Sequence, residues 1–347
     1  MCISGRSWGS NRAERNTQVG APAGSAAPVT IPLPGVASAV AMGDRHVCAI
    51  AFNPMLGHDD VVCWGTDDFG QLGDGIGSPA DPHVPRELFF SSTPVQITAG
   101  TEHTCMLDSD GVVWCWGHND IGQTGVTGGV MQVDTPTSIV SDSRYGFLAA
   151  GSAHTCVSTP FLSTMECWGA GVSGQLGTGA NNNNAMPLST MGFMEGDVLA
   201  LALGREHTCV ARTSGLYCWG GSASSQIEFT SNVPQIHGHP GGRATDLLAN
   251  RLATCLRVES GAIYCRGEQT AGRVLVPGTT GTVTTWSRVF ELGFEVDSFA
   301  VGNETQTQLV RMADGSVFGW GNNNNHQLTN FTPSGSPPPT RIVLVTP

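Results

Sequence analysis

Histidine and cysteine recur in this chain at a fixed spacing, and their side chains could ligate a metal, form disulfides or act as nucleophiles. One pattern is a glycine, any two residues, a histidine, any residue and a cysteine. It occurs at Gly43–His46–Cys48, Gly100–His103–Cys105, Gly151–His154–Cys156 and Gly204–His207–Cys209. A second pattern, cysteine-tryptophan-glycine, follows each copy, with its cysteine at Cys63, Cys115, Cys167 and Cys218. The chain therefore repeats one pair of cysteine-containing segments.

Two later copies of these segments have changed. The fifth copy has other residues at the glycine, histidine and tryptophan positions, namely Asn250, Ala253 and Arg266. It keeps both cysteines, Cys255 and Cys265. The sixth copy aligns Thr307 and Gly319 with the two cysteine positions, so both cysteines are lost together.

Ten of the eleven cysteines fall into five pairs within repeats. The turn-forming residues 108–111 between Cys105 and Cys115 predict a hairpin that places these two cysteines opposite each other. Cross-strand neighbours lie about 4.5 Å apart, which is close to disulfide reach. A bond also accounts for the joint loss in the sixth copy. The predicted disulfides are Cys48–Cys63, Cys105–Cys115, Cys156–Cys167, Cys209–Cys218 and Cys255–Cys265.

Two other roles for these residues stay open. The cysteines could be free thiols, or a histidine and two cysteines in one repeat could ligate zinc. Four nearly identical metal sites would be unusual, so we expect no metal and a structural, hydrogen-bonding role for the histidines. Cys2 has no partner in this scheme.

The sequence contains no recognisable catalytic motif. It lacks the glycine-x-serine-x-glycine and histidine-glutamate-x-x-histidine patterns, and its carboxylates are scattered, several of them in turns. All 16 basic residues are arginine, so neither a phosphate-loop lysine nor a Schiff-base lysine is available. We expect no catalytic residue, no cofactor and no enzymatic activity.

The segments repeat at intervals typical of propeller blades. Successive tryptophan positions, from Trp64 to Trp320 with Arg266 counted, are 52, 52, 51, 47 and 54 residues apart. A glycine-glutamine phrase follows about seven residues after the tryptophan, as at Gly70-Gln71. Short hairpins with a period near 50 predict an all-β propeller.

The combined order of these three phrases resembles the regulator of chromosome condensation repeat, and the resemblance covers nearly the whole chain. It implies a propeller, usually of seven four-stranded blades. The added cysteine pair resembles bacterial members of the family that act outside the cytoplasm. The best-known members are guanine-nucleotide exchange factors for small GTPases, which is therefore an alternative function.

We predict one propeller domain over residues 1–347, with about six full four-stranded repeats. Their approximate limits are 21–73, 74–125, 126–177, 178–227, 228–275 and 276–328. Segment 1–20 resembles the late part of a blade, and segment 329–347 resembles an opening strand. We expect the two termini to form an incomplete seventh blade; a six-bladed ring or a fragment of a longer protein are alternatives.

Charge and cysteine usage restrict the partners and the compartment. The formal net charge is −12, without a basic cluster, so nucleic acid is not an expected partner. No apolar run is long enough to span a membrane. Disulfides persist in oxidising compartments, so we expect a secreted, periplasmic or cell-surface protein. Because residues 1–20 lack a signal-peptide pattern, the true start would lie upstream.

Two segments depart most from the repeat and are the predicted binding loops. Segment 73–93 contributes His83, Arg86, Phe89 and Phe90, and segment 222–245 contributes Phe229, His237 and His239. The predicted function is a non-catalytic protein-interaction or adhesion scaffold, monomeric and extracytoplasmic, whose partner is another protein or a cell-surface component. A propeller enzyme with an axial site is a second alternative.

Overall fold

A computed structural model gives the fold. It describes residues 2–3, 6–7, 29–76, 84–139, 144–159, 165–192, 196–268, 281–289, 296–301, 307–314, 316–321 and 340–342. Every regular element in these ranges is a β-strand. None of the described residues belongs to a helix long and apolar enough to cross a membrane.

The strands form six four-stranded sheets and one three-stranded sheet. The three-stranded sheet, called the N-terminal sheet, contains β1 (Cys2–Ile3), β2 (Arg6–Ser7) and β3 (Val29–Thr30). Blade 1 contains β4 (Ala37–Met42), β5 (His46–Asn53), β6 (His58–Gly65) and β7 (Arg86–Leu88). Blade 2 contains β8 (Pro94–Ala99), β9 (His103–Asp108), β10 (Val113–His118) and β11 (Gln132–Ser138).

The other four blades follow the same order. Blade 3 contains β12 (Phe147–Ala150), β13 (His154–Ser158), β14 (Met165–Gly169) and β15 (Asn184–Ser189). Blade 4 contains β16 (Val198–Leu203), β17 (His207–Arg212), β18 (Gly215–Gly220) and β19 (Ser231–His237). Blade 5 contains β20 (Ala244–Ala249), β21 (Ala253–Val258), β22 (Ile263–Glu268) and β23 (Thr282–Arg288). Blade 6 contains β24 (Val296–Val301), β25 (Thr307–Met312), β26 (Val317–Gly321) and β27 (Thr340–Ile342).

Each blade is an antiparallel meander, as an all-β propeller requires, and the prediction of about six four-stranded blades is confirmed. The first strands of consecutive blades pack on one another, from β4 and β8 to β20 and β24, which places them around the axis. The second strands are the most buried; every residue of β9 and β17 is buried. Fourth strands such as β11 are mostly half-buried or exposed. The hydrophobic core therefore lies between the faces of neighbouring blades.

The structure corrects two assignments near the end of the chain. β27, in the segment expected to open a seventh blade, pairs instead with β26 and completes blade 6. The incomplete seventh blade itself remains a prediction, because most of segments 1–20 and 329–347 lies outside the described residues. The N-terminal sheet is built from β1, β2 and β3. The physical reason is that the segment after each third strand hydrogen-bonds back to that strand as the fourth strand of the same blade. The sheets are therefore offset from the repeat limits read from the sequence.

The second correction concerns blade 6. Gly319 lies opposite Leu309, and Thr307 lies opposite Gly321. In blade 2 the corresponding pairs are Cys115 with Cys105 and Gly117 with His103. Leu309 therefore takes the first cysteine position and Thr307 takes the histidine position, two residues away from the alignment made on sequence alone.

Candidate binding site

Five disulfides join the second and third strands of blades 1 to 5. They link Cys48–Cys63, Cys105–Cys115, Cys156–Cys167, Cys209–Cys218 and Cys255–Cys265, with Cα atoms 4.1–4.2 Å apart. The partners face each other in the strand register and are buried. These cystines therefore fasten the interior of each blade and are inaccessible to large reactants.

The repeated histidines connect one blade to the next. His46 Nε2 lies 2.8 Å from Thr104 Oγ1, and the corresponding contacts from His103, His154 and His207 are 2.8–3.0 Å long. Complete burial lowers the pKa of all four histidines to about 3. The four imidazoles are therefore neutral in the folded protein near neutral pH. Below about pH 6.5 the unfolded chain binds protons at these histidines and the folded chain does not, so the stability of the fold decreases as the pH falls.

Threonine hydroxyls determine which ring nitrogen of His46, His103 and His154 carries the proton. Thr104 donates its hydroxyl hydrogen to the carbonyl oxygen of Gln71 at 3.1 Å, so His46 Nε2 must be the donor to Thr104. The indole N–H of Trp116 donates to the same Gln71 oxygen at 2.9 Å. Histidine and glutamine from one blade thus hold threonine and tryptophan from the next. We call this arrangement the interblade clamp.

The clamp accounts for the histidine-cysteine pattern without a metal. It recurs between blades 2 and 3 and between blades 3 and 4, where Trp168 and Trp219 donate to Gln123 and Gln175. Within the described ranges, no group of three or more histidine, cysteine, aspartate or glutamate side chains is placed to hold a metal ion. The structural role expected for the histidines is the one observed.

The first predicted binding loop surrounds β7. His83 lies outside the described residues. Arg86 Nε is 3.6 Å from Asp74 Oδ2, and the Phe89 side chain is 68% exposed. Phe90 instead packs edge-on against Trp114, with ring centroids 5.8 Å apart. Arg86 and Phe89 are thus available at the surface, and Phe90 supports the core.

The second predicted loop is divided between different environments. Phe229 stacks on His237 with ring centroids 4.8 Å apart, and His237 Nδ1 is 3.3 Å from Glu228 Oε2. His237 is buried, and burial lowers its pKa although Glu228 opposes the shift. His239 lies beyond the end of β19, and its ring contacts the Pro240 carbonyl oxygen. The sequence grouped these residues because they share a loop-rich segment, but the fold buries His237 as part of blade 4.

A surface groove brings part of the first loop together with residues that the sequence did not single out. It has a volume of about 560 Å³, within the usual range for ligand sites. Its lining residues are Gly73, Asp74, Ile76, Pro85, Arg86, Glu87, Leu88, Phe89 and Pro136. Pro136 belongs to β11, so the groove spans the junction of blades 1 and 2. The Ile76 side chain is 68% exposed. An apolar residue in a glycine-rich loop was the feature of the sequence that could have indicated its place in the groove.

A perturbed carboxyl lies on the turn that precedes the groove. Asp67 Oδ1 accepts the Leu72 backbone N–H at 2.8 Å. Its other oxygen is buried and has no hydrogen-bond partner in the structure as described. Burial, together with the negative charges of Asp74 and Asp134, raises the pKa of Asp67 to about 7. Asp67 is therefore readily protonated near neutral pH.

Comparison with known proteins assigns the repeats. Two family models, both described as the regulator of chromosome condensation (RCC1) repeat, match residues 95–123 and residues 58–107 and 167–211. These parts of blades 1 to 4 are therefore RCC1 repeats. In the solved complex of Kap60 with yeast RCC1 (Prp20), the latter superposes with a TM-score of 0.82 at 19% identity, covering 97% of this chain and 83% of that one. This similarity shows the shared propeller fold.

Two curated proteins are similar in sequence to large parts of this chain. The ultraviolet-B receptor UVR8 of Arabidopsis thaliana is 27% identical over 279 residues, which is 78% of this chain and 62% of the receptor. The probable E3 ubiquitin-protein ligase HERC3 of Homo sapiens is 30% identical over 193 residues, 54% of this chain and 18% of the ligase. The matches span less than two thirds of either protein.

Proposed function

We propose that this RCC1-repeat propeller is a non-catalytic scaffold that binds another protein outside the cytoplasm. The observation that carries the proposal is the groove between blades 1 and 2, where Ile76 and Phe89 expose apolar side chains beside charged ones. Exposed apolar residues gathered at one concave place favour a partner rather than water.

The interior of the propeller supports a role in presentation. Disulfides and interblade clamps hold the blades, while the exposed groove residues Ile76 and Phe89 lie on the connections between strands. Loops on a rigid framework keep their geometry and bind with a smaller loss of conformational entropy. The relatives fit this view only in general terms, because the matched segments belong to a longer receptor and a longer probable ligase.

The disulfides support the compartment. Five buried cystines in consecutive blades are typical of proteins that mature in an oxidising environment. A guanine-nucleotide exchange factor would meet its small GTPase in a reducing compartment, so the cystines favour the extracytoplasmic scaffold over that alternative.

A disulfide map of protein taken from its native host tests the compartment. Free thiols would be alkylated first and the peptides mapped without reduction. We expect five linked pairs within blades and labelling at Cys2 alone. Label on the ten paired cysteines would contradict the extracytoplasmic assignment, and acceleration of nucleotide release from host small GTPases would contradict the non-catalytic one.

A matched pair of variants tests the binding surface. Phe89→Asp places a charge in the groove, and Met55→Asp places the same charge at an exposed residue, on the β5–β6 hairpin, that does not line the groove. The parent chain and both variants would be immobilised, and the amount of each protein that they bind from the extracytoplasmic fraction would be measured. We expect the binding partner to be lost with Phe89→Asp and kept with Met55→Asp. Equal retention by all three chains would exclude the groove as the binding surface.

A further inference from the structure

We propose that the groove receives an apolar side chain of about the size of methionine or phenylalanine, carried by an extended and positively charged segment of the partner. This inference rests on the proposed function and specifies the chemistry of its partner. It comes from comparing the same place in blades 1 to 4.

In blades 2 and 4 the chain fills this place with its own side chain. Val126 and Phe229 each stand three residues after the glutamine of the turn in their blade, and Asp74 has this position in blade 1. Val126 packs against the core between blades 2 and 3. Phe229 covers His237. In the pairing of the third and fourth strands, His237 of blade 4 has the same position as Leu88 of blade 1. Both residues are apolar, and Phe229 covers the fourth strand of its blade.

Blade 3 closes the place in another way. Met191, at the position of Phe89, donates its backbone N–H to the Gly177 carbonyl oxygen at 2.7 Å. Its sulfur atom also lies against Gly179. The strand end and the turn are therefore joined directly, and the methionine side chain covers the glycine.

Blade 1 has a polar residue where blades 2 and 4 have an apolar one. Asp74 is paired with Arg86 at the side of the groove, and Gly73 and the buried Leu88 line it. Ile76 and Phe89, which stand beside this opening, are largely exposed. The space that valine, methionine and phenylalanine cover elsewhere is thus open to a side chain from another molecule.

The charges near the groove favour a positively charged partner. Asp74 and Glu87 line it, the exposed Asp134 lies beside Gly75, and Arg86 is the cation among these groups. The net charge of −12 adds a long-range attraction for cations and a repulsion between two copies of this chain. A basic partner is therefore favoured over self-association.

The edge of blade 1 favours an extended backbone in the partner. β7 is the last strand of its sheet and pairs with β6 on one side. An open strand edge offers backbone donors and acceptors to an added strand, whose alternate side chains then reach adjoining pockets. All three residues of β7 line the groove.

The test uses a defined peptide and fluorescence anisotropy. The probe is a labelled, end-capped peptide of about eight residues with a central phenylalanine between arginines, and its two companions replace the phenylalanine by alanine or the arginines by glutamate. Asp74→Phe copies the filler of blade 4, and Ile76→Glu is a second variant at an exposed position that leaves the core intact. Met55→Ala is the control outside the groove.

We expect saturable binding of the first probe and at least about tenfold weaker binding of each companion. Asp74→Phe and Ile76→Glu should weaken binding by a similar factor, and Met55→Ala should leave it unchanged. Absence of saturable binding, or equal affinity for the phenylalanine and alanine probes, would overturn the inference. So would sedimentation showing that the chain self-associates and that Asp74→Phe prevents it, because the occupant would then be a second copy.

The outcomes separate this inference from the function on which it rests. Free cysteines in the native disulfide map would remove the extracytoplasmic scaffold even if the probe binds. Intact cystines, together with a native partner that is retained after Asp74→Phe, would leave the scaffold standing and reject the groove chemistry.

Discussion

Blades 2 to 4 meet the preceding blade through a tryptophan, whereas blade 5 uses an arginine at the same place. The indole N–H groups of Trp116, Trp168 and Trp219 donate to the carbonyl oxygen of a glutamine in the preceding turn. Arg266 Nε donates to the Ser225 carbonyl oxygen, one residue earlier in that turn, and its Nη2 donates to Thr284. Both side chains donate hydrogen bonds, but in blade 5 the guanidinium of Arg266 replaces the apolar ring. Burial disfavours this positive charge and lowers the pKa of Arg266.

The same two regions differ at the glycine-histidine pair. A Cβ atom on Gly100 would lie 2.1 Å from His103 Cε1, so the histidine ring requires glycine three residues earlier. Blade 5 has Ala253 in place of the histidine, and the freed space admits Asn250. The Asn250 side chain accepts the backbone N–H groups of Leu252 and Ala253. Two substitutions that look like decay in the sequence are therefore one coupled exchange.

The largest effect should come from the tryptophan itself. Trp168→Ala removes a fully buried ring and its hydrogen bond, and we expect a loss of about 3–5 kcal/mol in the free energy of unfolding. Arg266→Ala should cost less, about 1–3 kcal/mol, because the loss of its hydrogen bonds is offset by relief of a buried charge. Urea unfolding of both variants measures the difference; equal losses would show that the ring contributes no more than the guanidinium.

Removal of one cystine should have the next largest effect. Cys105→Ser combined with Cys115→Ser should lower stability by about 2–4 kcal/mol, because a closed loop of this length restricts the unfolded chain. Blade 6 supplies the comparison, since Leu309 lies opposite Gly319 there and no disulfide can form between these two residues. Adding Leu309→Cys with Gly319→Cys should give a sixth disulfide, seen by mass spectrometry. A double serine variant as stable as the parent in urea would contradict the stapling role.

The coupled exchange can be tested by reversing it in blade 5. Ala253→His alone should destabilise the protein by about 1–3 kcal/mol, because the ring would overlap the Asn250 side chain. Adding Asn250→Gly should recover part of that loss, although Asn250→Gly alone is destabilising through its lost hydrogen bonds. A double-mutant cycle from chemical unfolding gives the coupling energy. Simple additivity would show that the two positions are independent.

The smallest effect concerns another position at which the repeats differ. Asn119 in blade 2 donates to the Val126 and Val130 carbonyl oxygens, whereas blade 1 has Asp67 at that position, with its pKa raised to about 7 by burial. The folded chain keeps this proton until about pH 7 and the unfolded chain releases it near pH 3.8, so the group favours folding in acid and loses that contribution as the pH rises.

Asp67→Asn should remove this pH dependence. At pH 8 we expect the variant to be more stable than the parent by about 1–2 kcal/mol, with the difference shrinking toward pH 4. The exposed neighbour provides the control, because Asp68→Asn should change stability little at either pH. A parent and an Asp67→Asn variant that unfold with parallel pH profiles would show that Asp67 is ionised normally.

The repeats, the all-β class and the partners of the five cystines could be predicted because each depends on neighbours in the sequence. A hairpin fixes which residues face each other over about ten positions, so Cys105 and Cys115 could be paired without knowledge of other blades. The site was predicted less well. Arg86 and Phe89 were chosen as loop residues, but Pro136 comes from the next blade, and its contribution to the groove depends on how two sheets pack.

The sequence by itself determined which segments become strands and which cysteines lie opposite each other, because turns and alternation act over short distances. Tertiary structure decided what depends on contacts between blades: the partner of each clamp histidine, the sheet that β27 joins, and the turn that lines the groove between blades 1 and 2. Asp74, Val126 and Phe229 hold equivalent positions in the repeat. The packing of β7, β11 and β19 against those turns decides that the turn with Asp74 lines a groove.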